Sequence, residues 1–332
     1  MRKFTLSIAV FAFHTALIFW NPSLFAQTSR IEVGYSAISG DALPAWVAKE
    51  AGIFEKNGLD ARLIFFTGGT TAVMALVSAD TPIAQMAGSA VINSVLAGSD
   101  PVIVAGGVTS LNYFLMSRPE IKTPEQLKGG SVAISRFGSS SDFIARYALS
   151  KIGLTPGKDV TMVQIGSTQA RVDAALSGQI KATVVQPPAS IIAQRRGMNI
   201  LADLPKLGLV YQHTCVVTTR KFIRTNPDAV RRYVKSQVEA VHRIYTDKEI
   251  SMRALAKYFG HGVPRDVVEK TWENLLNESI LPKKQYPSLE GIKTILASET
   301  KGKNAKPEDF VDLSFIRELD QSGYIDALYK KR

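Results

Sequence analysis

The stretch "ALVSADTPIAQMAGSAVINSVLAG" (75–98) has a counterpart one hundred residues later, "ALSGQIKATVVQPPASIIAQRRG" (175–197). Each reads as the end of a helix, a short apolar strand, a turn of small residues and a second helix. In the first, the strand is Ile83 to Met86 and the helix Ala90 to Leu96; in the second, they are Ala182 to Val185 and Pro187 to Arg196. Apolar runs this short, bounded by Gly or Pro and alternating with helical periodicity, mark parallel βαβ units and not a β-sandwich. That the same grammar occurs twice favours two α/β lobes of similar construction over one continuous sheet.

Working outward, Ile31 to Tyr35, Ala61 to Phe66 and Pro101 to Ala105 read as further strands of the first run. Helices are expected over Pro44 to Phe54, with a stop at Gly58, and over Ala72 to Val77. After Tyr113 to Met116 the second run has strands Ser131 to Ser135 and Val160 to Ile165, with helices Ser141 to Ile152 and Ser167 to Leu176. Thr214 to Thr218 is a last strand. Beyond it the chain turns helical: Pro227 to Tyr245, Met252 to Phe259, Val267 to Leu276, Leu289 to Leu296 and Phe310 to Leu319, with "KGKNAKPED" (301–309) as a solvated loop.

The 332 residues suffice for two domains, and 45% hydrophobic with 21% charged residues is ordinary for a globular chain. Arg2 and Lys3 precede a nearly apolar run, Phe4 to Trp20, and Ser23-Leu24-Phe25-Ala26 ends on a small residue. This reads as a secretory signal peptide over 1–26, cleaved after Ala26; an uncleaved anchor is the alternative. Later segments are too short in apolar run to span a bilayer, so a soluble exported chain is expected. The single cysteine, Cys215, can form no internal disulfide. Forty Lys and Arg against 29 Asp and Glu give a formal charge of +11, falling to +9 without Arg2 and Lys3. The positive balance steers anionic small molecules. Nucleic acid is not expected as a partner, because the basic residues are scattered and not striped.

The strand-to-helix turns share one composition: Ser39-Gly40-Asp41, Thr67-Gly68-Gly69-Thr70, Gly88-Ser89, Gly138-Ser139-Ser140 and Gly166-Ser167-Thr168. The first N–H groups of a helix lack internal partners, and its dipole puts partial positive charge there. Glycine admits a ligand close to the backbone, and hydroxyls add donors. In a parallel sheet all such turns lie at the carboxyl edge, where open α/β folds bind their ligands. Each serine also has a plainer role: Ser139 with Asp142 fits a capping box, and Ser167 or Thr168 could cap likewise. One cap needs one hydroxyl, whereas "GSSS" (138–141) supplies three. Arg136 could hold a carboxylate, sulfonate or phosphate by paired hydrogen bonds, or be a surface arginine. Trp46 and Tyr113 could wall the pocket or pack in the core. Asp41 could pair with a cationic group but more simply caps the helix beginning near Ala42.

Enzyme signatures are scarce. His213 and Cys215 are two apart on a strand and could form a thiolate–imidazole pair, but a packed histidine and an inert thiol explain them more simply. His242 and His261 have no neighbours at metal-ligand spacing. No G-x-S-x-G, phosphate-binding loop or dinucleotide fingerprint occurs. Catalytic residues, metal and cofactor are therefore all expected to be absent.

As a set and in this order, "LPAWVAKEAGIFEKNGLDARLIFFTGG" (43–69), "GGTTAVMALVSADTPIAQMAG", "PVIVAGG", "TPEQLKGGSVAIS", "ALSGQIKATVV" and "FIRTNPDAVRRYV" resemble segments of the periplasmic solute-binding proteins of nitrate, sulfonate and taurine ABC importers. These are related to the pyrimidine-precursor binders of thiamin synthesis. The resemblance implies a type II periplasmic-binding-protein-like α/β fold with a ligand cleft between two lobes and a helical C-terminal part. The first lobe would hold 27–114 and 213–332, the second 115–212. It implies a monomer that captures a small polar anion and delivers it to an ABC permease and its ATPase. The pocket positions it implies are Ser39, Asp41, Thr67, Gly69, Thr70, Ser89, Arg136, Gly138, Ser139, Ser140 and Gln186. Similar chains carry Asp after a Gly-x-Ile turn; here Lys181 and Pro82-Ile83-Ala84 stand in those places. The cysteine-rich motif of the pyrimidine synthases is missing, which weighs against an enzyme on this scaffold. A pyrimidine synthase or a dehydratase of carboxylated metabolites is nevertheless the rival function, and an exported sensor subunit is a third.

Overall fold

The computed structural model describes residues 29–330. The proposed signal peptide and its cleavage site lie outside the described residues. Ten strands form two five-stranded sheets. The first sheet is built from β1 (Ser29–Tyr35), β2 (Leu59–Phe65), β3 (Ile83–Ala87) and β4 (Pro101–Gly106). The second contains β5 (Phe114–Ser117), β6 (Ser131–Ile134), β7 (Thr161–Gln164), β8 (Ala182–Val185) and β9 (Asn199–Asp203). β10 (Thr214–Thr219) then returns to the first sheet, giving the orders β2-β1-β3-β10-β4 and β7-β6-β8-β5-β9.

The two sheets follow one plan. In each, the strand that opens the βαβ run lies between its two successors, parallel to both: β1 between β2 and β3, β6 between β7 and β8. The sequence pattern suggests parallel sheets, but both sheets are mixed. β10 runs antiparallel to β3 and β4, and β5 antiparallel to β8 and β9. Both exceptions are strands that follow a crossing between the sheets, so no right-handed βαβ connection dictates their direction.

Other differences are local. The expected helix over 44–54 is two, Leu43–Glu50 and Ile53–Lys56, separated at Gly52, whose φ of 66° ends the first. The helix expected over 310–319 begins only at Ser314, after a 3-10 turn Pro307–Phe310 that buries Phe310. β9 was not foreseen, because "NILAD" (199–203) is too short and too polar at its ends to stand out.

Strands covered on both faces read as continuous apolar runs, and β3 and β4 are buried along their whole length. The twenty-residue helix Pro227–Thr246 carries Val230, Tyr233, Val234, Val238, Val241 and Ile244 into the core of the first sheet. Trp46 is fully buried there, its ring stacked on Tyr258 at 4.7 Å.

The two chain crossings run together. Val108 donates its N–H to Thr214 Oγ1 and accepts from the N–H groups of His213 and Thr214, while Ser110 bridges Val210. Two glycines make room for the returning strand: a Cβ on Gly88 would stand 2.6 Å from Gln212 O, and one on Gly291 would stand 2.3 Å from Gln212 N. No helix among the described residues is long and apolar enough to cross a membrane.

Candidate functional site

A cavity of about 410 Å³ lies between the two sheets. The carboxyl ends of the parallel strands of both sheets meet there. From the first sheet come Ser36 to Ile38 after β1, Thr67 to Gly69 after β2, and Ala87 at the end of β3. From the second come Ser135, Ser140 and Ser141 after β6, Gly166 to Gln169 after β7, and Pro188, Ala189 and Ile192 after β8. Tyr113, His213 and Thr214, from the crossings, close the back. The five turns thus converge on one hollow, three through their own residues and two through neighbours at Ile38 and Ala87.

The approach is close. Gly68 has φ of 92°, and a Cβ there would sit 3.0 Å from Ser135 Oγ of the other sheet's first turn. Only glycine tolerates both the left-handed backbone and this contact. Thr70 Oγ1 donates to Phe137 O at 3.3 Å, a second link between the sheets.

The group the sequence reading missed is Arg171, on the cavity wall and only 3% exposed. It lies in the helix Thr168–Leu176 that follows β7, in a row with buried Ala174 and Ala175 at the spacing of a core-facing stripe. An arginine at an apolar-stripe position beside a Gly-Ser-Thr turn was the available signal. Its guanidinium donates to four neutral oxygens: Thr183 Oγ1 at 3.1 Å, Gly166 O at 2.6 Å, Thr168 Oγ1 at 3.3 Å and Val184 O at 3.3 Å. These take four of five N–H donors and supply no negative charge. Burial pushes its pKa down to about 10, so the group is a cation at neutral pH.

Asp41 and His213 form the second polar element. His213 Nε2 is 3.0 Å from Asp41 Oδ2, which also accepts from Ser39 Oγ at 3.1 Å. His213 is therefore not simply a packed core histidine: it lines the cavity, and Tyr113 meets it edge-on with centroids 5.3 Å apart. Burial, reinforced by Asp41, raises the Tyr113 pKa, so the phenol stays a neutral donor. Cys215 is buried apart from this group with its Sγ 3.5 Å from Met86 O, and burial pushes its thiol up, away from the thiolate a nucleophile needs.

The remaining expected residues are distributed as follows. Thr67, Gly69 and Ser140 line the cavity. Ser39 and Asp41 stand behind His213. Ser89 is buried with its hydroxyl unpartnered, and Gln186 is buried at the end of β8. Arg136 is exposed and outside the cavity lining. Gly138 and Ser139 line a separate groove between the helices Ser140–Lys151 and Leu289–Ser298. Ser139 precedes its helix without capping it: its Oγ donates to Arg136 O at 2.7 Å and joins Ser135 and Ser141 in a buried trio of hydroxyls. Asp142 accepts from the Gly138 N–H at 2.9 Å, so the expected capping box is displaced by one residue. Ser167 does cap, accepting from the Ala170 N–H at 3.2 Å. Among the described residues no cluster of three His, Cys, Asp or Glu could hold a metal.

Two mixed sheets with flanking helices and a cleft at their facing strand ends define the periplasmic-binding-protein fold. The chain belongs to the NMT1/THI5-like family, whose model matches residues 40–249. Among solved structures, a chain from Bordetella bronchiseptica RB50 superposes with a TM-score of 0.78 at 20% identity, covering 89% of this chain and 98% of that one. The alkanesulfonate-binding protein SsuA from Xanthomonas axonopodis pv. citri, bound to MOPS, superposes with a TM-score of 0.68 at 21% identity, covering 81% and 91%. YtlA of Bacillus subtilis is 24% identical over 202 residues, a match spanning 59% of this chain and 60% of that protein's length.

Proposed function

We propose that the chain is the exported substrate-binding component of an ABC importer, which captures a small anionic solute and passes it on unchanged. One lobe comprises 27–114 and 213–332 and the other 115–212; they close around the solute, and the closed form is presented to a permease and its ATPase. The protein acts as a monomer in the periplasm after cleavage at Ala26. The observation that carries this reading is Arg171: a cation 3% exposed on the cavity wall, whose bonds all go to neutral oxygens. Burying a charge without a counter-charge is costly, and a bound anion would offset that cost. Ser140, Thr168 and the N–H groups at the helix starts surround the same space and add neutral donors. An alkanesulfonate-binding neighbour with the same fold fits an anionic cargo.

The test is calorimetry with sulfonates, carboxylates and nitrate on the purified chain and on Arg171→Gln. Loss of a charged hydrogen-bond donor is expected to weaken anion binding by about 1.5–3 kcal/mol. Equal affinity in the variant would remove the reading. Mass spectrometry of the ligand before and after incubation separates capture from catalysis, since an enzyme would return a product.

A further inference from the structure

The cavity lining combines a polar cluster with large apolar side chains. Arg171, Ser140, Thr168, Tyr113 and His213 gather where the chain crosses between the sheets. The large apolar residues of the lining are Ile38, Phe65, Phe259 and Val263 from the first-sheet side and Ile192 from the second. Ile38 and Phe65 keep 45% and 38% of their surface uncovered, although each belongs to a type that is ordinarily packed away. Apolar surface left bare inside a hollow rather than scattered over the exterior implies something apolar to cover it. An anion as small as nitrate would engage the polar cluster and leave these side chains against water. The volume, about 410 Å³, is within the range of pockets that hold organic ligands of drug-like size.

A second restriction concerns charge. No Asp or Glu among the described residues lines the cavity, and Asp41, which contacts the lining residue His213, is already engaged by Ser39 and His213. A ligand ammonium therefore meets Arg171 without a free carboxylate to balance it.

Resting on the anion-capture reading above, we infer that the cleft selects an organic monoanion with an alkyl or aryl body, its head at Arg171 and its body against Ile38, Phe65, Ile192, Phe259 and Val263. Inorganic oxyanions and zwitterions are poor ligands. Ile192, in the helix Ala189–Arg195, and Val263, in the segment just before the helix Arg265–Leu275, line the cavity and are the specificity-determining residues for the body beyond the head.

The experiment is titration calorimetry of the full mature chain with methane-, butane- and octanesulfonate, benzenesulfonate, nitrate and taurine. Affinity is expected to rise by about fourfold per added methylene, the equivalent of ~0.8 kcal/mol, until the body covers the apolar lining. Nitrate and taurine should bind no better than methanesulfonate. Ile192→Asn should flatten the dependence on chain length. A series of equal affinities that still depends on Arg171 would overturn this inference and leave anion capture standing. Tighter binding of nitrate or taurine than of octanesulfonate would overturn it as well. Binding of none of these anions, head group included, would overturn the capture reading together with it.

Discussion

Arg195 and Asp266 form an ion pair that ties the helix after β8 to the helix Arg265–Leu275 of the other sheet's unit. The pair is bidentate, with Arg195 Nη1 3.4 Å from Asp266 Oδ1 and Nη2 closer still to Oδ2. One turn back from Arg195, Ile192 lines the cavity, and three residues before Asp266 so does Val263. The bridge therefore stands at the rim, just outside the last residues able to touch a ligand. Both side chains are about half exposed, so the contribution is of the modest size typical of surface pairs.

The expected consequence is kinetic. Asp266→Asn should speed ligand release by about twofold to fivefold in stopped flow, and Arg195→Asp with Asp266→Arg should restore the slower rate. The difference between native and variant should shrink as salt is raised, because exposed charges are screened. Arg195 holds the Asp266 carboxyl below its ordinary range. The pair is thus complete above the ordinary Asp value, about 3.9, and is lost as pH falls through the lower folded value. Release rates of native and variant that stay equal at low salt and neutral pH would show that the pair plays no part in closure.

Of the three adjacent serines after Gly138, Ser139 and Ser140 should separate by function. Ser139 shares its hydroxyl with Ser135 and Ser141 in a buried trio, whereas Ser140 lines the cavity. Ser139→Ala is expected to lower stability by about 1 kcal/mol, with the ligand affinity nearly unchanged. Ser140→Ala is expected to weaken binding by about 0.5–1.5 kcal/mol with little change in the urea midpoint. The reverse pattern would place the ligand in the groove beside Ser139.

Why the site was only partly legible in the sequence follows from these residues. The turn composition was visible because Gly and hydroxyl residues at strand-to-helix junctions have local causes. The convergence of turns was also readable, since parallel strands put their carboxyl ends on one side. Arg171 was not, because a basic residue in "TQARVDAAL" (168–176) reads as a solvated helix face until packing shows which face is turned inward. Arg136 drew attention by adjacency in sequence, but it is exposed and does not line the cavity. The antiparallel direction of β5 and β10 was hidden for a related reason. A strand's direction relative to its neighbours depends on where the chain comes from, and both come from the other sheet.

Gly291 is expected to be intolerant of any side chain. It lies in the helix Leu289–Ser298, and a Cβ would stand 2.3 Å from Gln212 N and 2.5 Å from Tyr211 C. Those are backbone atoms of the returning crossing, which also supplies His213 to the cavity. Gly291→Ala should therefore destabilise by about 1–3 kcal/mol, the scale of overpacking, and should also weaken binding by displacing His213. A Gly291→Ala protein with native denaturation midpoint and native affinity would mean that the crossing can move without cost.

Lys181 follows the turn Gly178-Gln179-Ile180, and its surroundings give it a structural role. Its Nζ donates to Gln126 O and to Lys128 O, both at 2.8 Å, and its stem crosses Gly130, where a Cβ would be 2.2 Å from Lys181 Cδ. A lysine thus fastens the turn before β6 to the beginning of β8. That is the amino end of the strands, and the cavity lies at the carboxyl end, past Val185. Strand polarity therefore predicts a purely structural effect. Lys181→Asp should lower stability by about 1 kcal/mol, because two carbonyls lose their donor and receive a carboxylate that can only accept. Anion affinity should remain native. A variant that keeps its stability and loses its ligand would place binding at the wrong end of the sheet for the site built around Arg171.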